Sequence, residues 1–395
     1  MSNGHYKMPD GLAKKMPEDV VICILLRLPM KSLLRFNCVS KTCHILLQSS
    51  TFINLHLNRA TTVTDEFILL KRSFKEDINQ YKTIFSFLSG GGDNYLNPIF
   101  PDLNVPYMTD TRSIIFDQLI GPCNGLIALM DNVNTVIFNP STRNIRLLLS
   151  SPFDRPKGFH RYIRCLGFGF DSVVNDYKVI RISEFLKDDR YGYIQVEEEN
   201  VEIYELGIDC WRELDHVDQQ LPVIHWLPCS QIFYKGIFHW IAHTVILCFD
   251  MSTEIFYTMR MPDTSHNFRI EPHRSLVILN ESLTLICYPS VVPVIDPTED
   301  LIEIWIMKDY DVYESWIKKY TIRGLPIKIP LAVWKHNLLL FQSRTGFLMT
   351  YDINADDVKE FNLQGCCKSM RAIVYKANLT KIPRGSENGE QVQKF

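Results

Sequence analysis

His239 and His243 stand four residues apart in an apolar stretch, which puts both on one face of a strand. Two imidazoles so spaced invite a metal, but Trp240 between them spoils the geometry, so a structural role is expected. Cys38, Cys43, His44 and His56 make a second set, yet Cys-x4-Cys-His with a distant His is not a usual ligand spacing. Core thiols and a surface histidine are the expectation there. Gly167-x-Gly169 is not followed by a helical pattern, and Gly90-Gly91-Gly92 lacks a nearby lysine for a phosphate, so neither is a nucleotide loop. No Gly-x-Ser-x-Gly or catalytic cysteine motif occurs. No catalytic residue, metal or cofactor is expected, and the chain is not expected to be an enzyme.

What remains is charge. Residues 1–59 hold eight Lys/Arg against three Asp/Glu, a net +5. From Glu184 to Asp218 twelve acids meet only Lys187, Arg190 and Arg212, a net −9. Such a run is either a solvated surface or a dock for a basic partner, and Asp188, Asp189, Glu197, Glu198 and Glu199 are its candidate contacts. With a net charge of −3 over 395 residues, nonspecific nucleic-acid binding through phosphates is excluded. The apolar run Val20–Leu26 stops at Arg27, far short of the roughly twenty residues a membrane span needs. Eleven cysteines at irregular spacing, with no export signal, point to reduced thiols and a cytosolic compartment, with the nucleus also open.

Two kinds of element must carry these residues. Up to Arg59 the apolar period is helical. Pro17 suits a first helical turn, Glu18 and Asp19 favour the positive end of the dipole, and Pro29 stops the helix at Leu28. A second helix fits Lys31 to Cys38, and Ser40 caps a third. Three short helices cannot bury that much Leu, Ile and Val alone, so the module needs a partner surface.

After Arg59 the period becomes two. Phe138, Tyr204, Phe249, Trp305 and Tyr351 close equivalent strands at intervals of 66, 45, 56 and 46 residues. Strand repeats of about this length indicate a β-propeller. Six blades are expected, with Arg371–Tyr375 returning beside the first one at Phe67–Leu70 to close the ring. The acids of Asp250 and Asp352 should tie blade turns to backbone N–H groups, and Lys187–Glu199 and Tyr288–Asp300 read as loops. The fold class is thus α+β and multidomain: residues 1–15 flexible, 16–60 a small three-helix module, 61–378 an all-β propeller, and 379–395 a flexible tail.

The helical stretch, from Met16-Pro17-Glu18-Asp19 through Leu28-Pro29 and Leu33-Leu34-Arg35-Phe36 to Cys38-Val39-Ser40-Lys41, resembles an F-box. That resemblance implies docking on a Skp-type adaptor, and through it a cullin, by Pro17, Ile24, Leu25, Leu28, Pro29, Leu33 and Val39. Met16 stands where Leu is usual, and Cys43 where Trp is usual. Gly121-Pro122-Cys123-Asn124-Gly125-Leu126-Ile127, Asn139-Pro140-Ser141-Thr142-Arg143, Gly167-Phe168-Gly169-Phe170-Asp171 and Phe238-His239-Trp240 resemble the plant F-box-associated domain. Over about nine-tenths of the chain the resemblance is to S-locus F-box proteins of pollen. It implies a ubiquitin-ligase substrate receptor in the pollen tube cytosol that binds non-self S-ribonucleases, basic proteins, for ubiquitination. A receptor of the same plan for another plant target, and a scaffold acting without ubiquitin transfer, remain open. A propeller glycosidase with carboxylates in the central channel would have no use for the helices.

Overall fold

Prolines set the phase of the N-terminal helices. In the computed structural model Pro17 is the N-cap of α1 (Glu18–Leu25) and Pro29 that of α2 (Met30–Phe36). α3 (Lys41–Gln48) starts at Ser40, whose Oγ accepts from the Cys43 N–H at 3.1 Å. α4 (Ser50–Asn58) starts at Ser49, whose Oγ accepts from the Phe52 N–H at 3.2 Å. The structure describes residues 16–59, 66–90 (without 78–79), 96–99, 102–103, 105, 118–130, 134–153, 159–188, 194–214, 220–224, 230–264, 268, 271–290, 301–366 (without 336), 369–383 and 393–394.

Four helices replace the three expected, because the second serine cap breaks the last one and restarts it. α1 also ends at Leu25 rather than Leu28. Pro29 disfavours helical geometry at the residue before it, so the chain tightens: Arg27 donates to the Ile24 carbonyl and Leu28 to that of Leu25. Leu25, Leu33, Leu47, Phe52 and Ile53 form the buried centre of this unit. The chain divides at Ala60/Thr61 into two compact units.

The second unit is a six-bladed propeller. Each blade is one antiparallel sheet, and five keep simple chain order from the innermost strand outward. Their innermost strands are Gln118–Cys123, Phe159–Asp171, Gln231–Tyr234, His273–Leu279 and Ile327–Trp334. Blade one is composite: Glu66–Asp77, Gln80–Gly90 and Leu96–Pro98 come from its start, while Arg371–Lys376 returns as the innermost strand. Leu69 faces Ile373 in that register, as the ring-closing expectation required. Phe138, Tyr204, Phe249, Trp305 and Tyr351 all lie in the third strand of their blades.

Adjacent blades are fastened by indoles that bury their rings and satisfy their N–H groups. Trp240 donates to the Leu166 carbonyl at 3.1 Å, Trp211 to that of Leu149 at 2.7 Å, and Trp316 to that of Arg260 at 3.1 Å. Gly167 exists for the first of these: a Cβ there would meet Trp240 Cζ2 at 2.8 Å and Ile180 Cγ2 at 2.5 Å. The turn acids behave as expected. Asp250 Oδ1 accepts from the N–H groups of Ser252 (2.8 Å) and Thr253 (3.0 Å), and Asp352 Oδ1 from those of Asn354 (2.9 Å) and Ala355 (3.1 Å).

Residues 379–383, expected to open a flexible tail, are held against the propeller. Leu379, Thr380 and Ile382 are buried, and Thr380 Oγ1 donates to the Asn124 carbonyl at 2.7 Å. Asn378 sits so close to the second blade that a Cβ on Gly125, at φ +78°, would overlap its amide. Gln393–Lys394 pairs with Asn144 and Ile145 on the outer edge of blade two.

Candidate functional site

The helical unit leaves apolar surface uncovered. Of the seven expected adaptor contacts, Pro17, Pro29, Ile24 and Val39 are exposed, the last two by 46% and 66%, and Leu28 is half-buried. Leu25 and Leu33 instead belong to the unit's own buried centre, so they shape the face without lying on it. Met16, Val20, Ile45 and Leu55 are exposed too, Ile45 by 70%. The sequence reading passed over Ile45 and Leu55 as contacts. The available signal was a single aliphatic residue among Lys41, Thr42, His44 and Gln48 on α3.

The thiols reverse the expectation and the imidazoles divide. Cys23 and Cys38 are exposed and Cys43 half-buried; His44 is exposed, as expected of a surface histidine, whereas His56 is buried beside Phe52, with ring centroids 6.3 Å apart. Spacing alone placed the cysteines inside; the second helix ends at Phe36, and Cys38 and Val39 lie exposed in the turn that follows. In the propeller His239 is buried, with Nε2 2.7 Å from the Tyr310 hydroxyl and Nδ1 3.3 Å from the Ile232 carbonyl oxygen. Burial lowers its pKa to about 4. Its strand ends at Ile241, so His243 lies in the bend beyond and does not share that strand face. Among the described residues no three His, Cys, Asp or Glu side chains are grouped to hold a metal.

The acidic run is not the loop expected between blades. Strand Asp176–Asp188 pairs with Ile194–Glu205, from Ile194 opposite Asp188 to Glu205 opposite Lys178, as one long hairpin inside blade three. Alternating Phe185, Ile194 and Val196 supply the strand character that the charges hid. Asp188, Glu197 and Glu198 therefore lie on strands, and the register slips at Glu197 as a bulge. Asp189 lies outside the described residues, as does most of the Tyr288–Asp300 loop.

Glu199 has a defined environment. Its Oε1 is 2.6 Å from Arg164 Nη1, and Arg164 Nε is 3.2 Å from Glu184 Oε1. Two carboxylates thus share one guanidinium. Burial raises the Glu199 pKa against the pull of Arg164, and Glu184 pushes it the same way. Arg164 and Cys165 also border a cavity of about 680 Å³ in the middle of the ring, where Gln231 Nε2 donates to Gln118 Oε1 at 3.2 Å.

The direction of the strands sorts these features. The inner strand of blade three begins at Phe159 opposite Lys187, so the paired residues Asp188 and Ile194 lie at the end where that strand begins. Glu66, where the chain enters the ring, pairs with Lys376 at the end where the inner strand of blade one finishes. A helical module with an uncovered apolar face, followed in the chain by a six-bladed propeller, is the plan of an adaptor-docking protein.

Comparison with known proteins agrees. Residues 101–382 match the F-box associated beta propeller domain, and residues 14–55 match the F-box domain. The chain belongs to the F-box-associated β-propeller family. The Arabidopsis thaliana F-box protein CPR1 is similar at 25% identity, covering 96% of this chain and 92% of that protein. F-box protein At4g22390 and F-box/kelch-repeat protein At3g23880, both from Arabidopsis thaliana, are each 24% identical; they cover 96% and 86% of this chain, and 93% and 88% of their own lengths. Neither matched family is an enzyme family, and F-box proteins with propellers are typically non-catalytic adaptors. The F-box implies binding to a Skp-type adaptor. Among the described residues no helix is long and apolar enough to cross a membrane.

Proposed function

We propose that this protein is the substrate receptor of a Skp-cullin-F-box ubiquitin ligase in pollen, and that its propeller captures non-self S-ribonucleases for ubiquitination. The observation that carries the receptor reading is the uncovered apolar face of the helical unit, Ile24, Val39 and Ile45 above all, on a domain matching the F-box. Such a face has no use in water and is covered when an adaptor docks. The target reading rests on the acidic run of the sequence that includes Asp188, Asp189, Glu197, Glu198 and Glu199, which suits a basic partner. Exposed charges speed encounter more than they hold, so apolar loops beside them select the allelic form. The experiment is affinity purification of the tagged chain from pollen. A Skp-type adaptor, a cullin and an S-ribonuclease are expected together. Adaptor and cullin without any S-ribonuclease would leave a receptor for another target, and an adaptor without cullin would overturn ubiquitin transfer.

A further inference from the structure

Gln118 and Gln231 are the first residues of the innermost strands of blades two and four, and blade three stands between them in the ring. Gln231 Nε2 nevertheless donates to Gln118 Oε1 at 3.2 Å, so an amide pair bridges blades that are not neighbours. Blade three borders the central cavity only with Arg164 and Cys165, where its inner strand slips register between Ile163 and Cys165 as a bulge. Both glutamines border the cavity, and Gln118 is only 6% exposed. Among the described residues neither side chain makes a further hydrogen bond. Bonding to each other uses one donor and one acceptor, so amide N–H and C=O capacity is left over on the pair. At such depth an unmet polar group is costly.

Much of the remaining wall is apolar. Leu276, Leu331, Val333 and Ile373 border the cavity and are buried. A volume of about 680 Å³, with apolar walls and a few convergent polar groups, is the usual makeup of a small-molecule site. Charge at the amide pair is already answered. Arg164 pairs through Nη1 with Glu199 and through Nε with Glu184, and its Nη2 donates to the Pro222 carbonyl at 3.4 Å. The other charges on the border balance, Arg371 and Lys335 against Glu66 and Glu281. A charged ligand would give up its water without a matching surplus in the cavity. Asn280 and Glu281, exposed between the first two strands of blade five, also border the cavity and give a ligand a way in from solvent. We infer that the central cavity of the propeller binds an uncharged, amide-bearing small molecule, its apolar body along the inner strands and its head on Gln118 and Gln231. A carboxamide brings one acceptor and its own N–H donors, the set that the glutamine pair can answer. This site goes beyond the receptor reading and does not depend on it.

The test uses the full chain, isotope-labelled at glutamine side-chain nitrogen, and three probes: benzamide, phenylpropanamide and octanamide, each beside its parent carboxylate. The side-chain signals of Gln118 and Gln231 are expected to move with at least one amide, and that amide should bind at least tenfold more tightly than its carboxylate. Gln231→Leu should weaken the amide by at least tenfold and leave the carboxylate unchanged. Leu331→Trp, which takes up cavity volume and spares both glutamines, should weaken the amide as well, so the site stays testable if the first variant fails to fold. If no amide moves either signal, water alone occupies the cavity and the inference fails. It fails too if amide and carboxylate bind equally, because the glutamine pair would then select nothing. Neither result touches adaptor or target, so the pollen purification is decided separately.

Discussion

The Tyr375 hydroxyl donates to Asn139 Oδ1 at 3.0 Å, joining the last inner strand of the chain to a turn in blade two that lies 236 residues earlier. Ser141 Oγ lies 2.9 Å from the same hydroxyl, and Asn378 Nδ2 donates to it at 3.0 Å. Asn139 in turn donates to the Thr380 carbonyl at 2.7 Å. The returning segment is thus held to the second blade as well as to the first.

Tyr375→Phe should therefore destabilise the propeller by about 1 kcal/mol, the net worth of a hydrogen bond whose partners, Asn139 Oδ1 and Asn378 Nδ2, keep others to Ser141 N–H and the Lys376 carbonyl. Urea unfolding followed by tryptophan fluorescence measures it. An unchanged midpoint would mean that strand pairing alone closes the ring.

On the helical unit, Ile24→Ser with Val39→Ser is expected to weaken adaptor binding by about a hundredfold or more, at 1.4 kcal/mol for each tenfold, with helix content unchanged. Leu33→Ala should also lose binding, but by loosening the unit, since Leu33 is fully buried. Circular dichroism of the full chain beside a pull-down separates the two causes. Retained binding by the double serine variant would move the docking face elsewhere.

Lysine in place of Glu197 and Glu198, with Glu199 left paired to Arg164, should slow association with a basic S-ribonuclease and flatten its dependence on salt. Dissociation should change less, because exposed charges act mainly before contact. Stopped-flow or surface-binding kinetics at two ionic strengths decide it. An on-rate and salt slope equal to those of the unmodified chain would leave the acids without a part in association.

His239 makes stability depend on pH. Its pKa is lowered from 6.5 to about 4 by burial, so the folded chain holds it neutral while the unfolded chain takes up a proton below pH 6.5. The stability it contributes is fully present above pH 6.5 and is lost as pH falls towards 4. At pH 5 the loss should be about 2 kcal/mol. Comparing urea midpoints at pH 7 and pH 5, the His239→Gln chain should show a smaller drop than the parent. Equal drops would assign the acid sensitivity to other groups.

Local chemistry was legible along the chain. Pro17 and Ser40 announced helix starts and Pro29 a helix stop, because a missing N–H or a side-chain acceptor acts within one turn. Period-two strands ending in Phe138, Tyr204, Phe249, Trp305 and Tyr351 announced the blades, since a strand shows its buried face every second residue. Asp250 and Asp352 could be read as turn ties for the same reason: their partners are two and three residues away.

Tertiary structure decided what depends on distant partners. Burial of Leu25 and Leu33, with Ile24 and Val39 left outside, follows from how four helices pack, which no single helical period specifies. The acid-rich stretch became a hairpin because pairing with Asp176–Asp188 outweighed its charge, and Glu199 acquired its state from Arg164 on another strand. Residues 379–382 looked like the start of a loose tail because the partners of Thr380, Asn124 and Asn139, lie more than two hundred positions earlier. Sequence displays what a residue does to its neighbours within a turn or a strand. Which side chains stay uncovered is set only when the remote pairs are made.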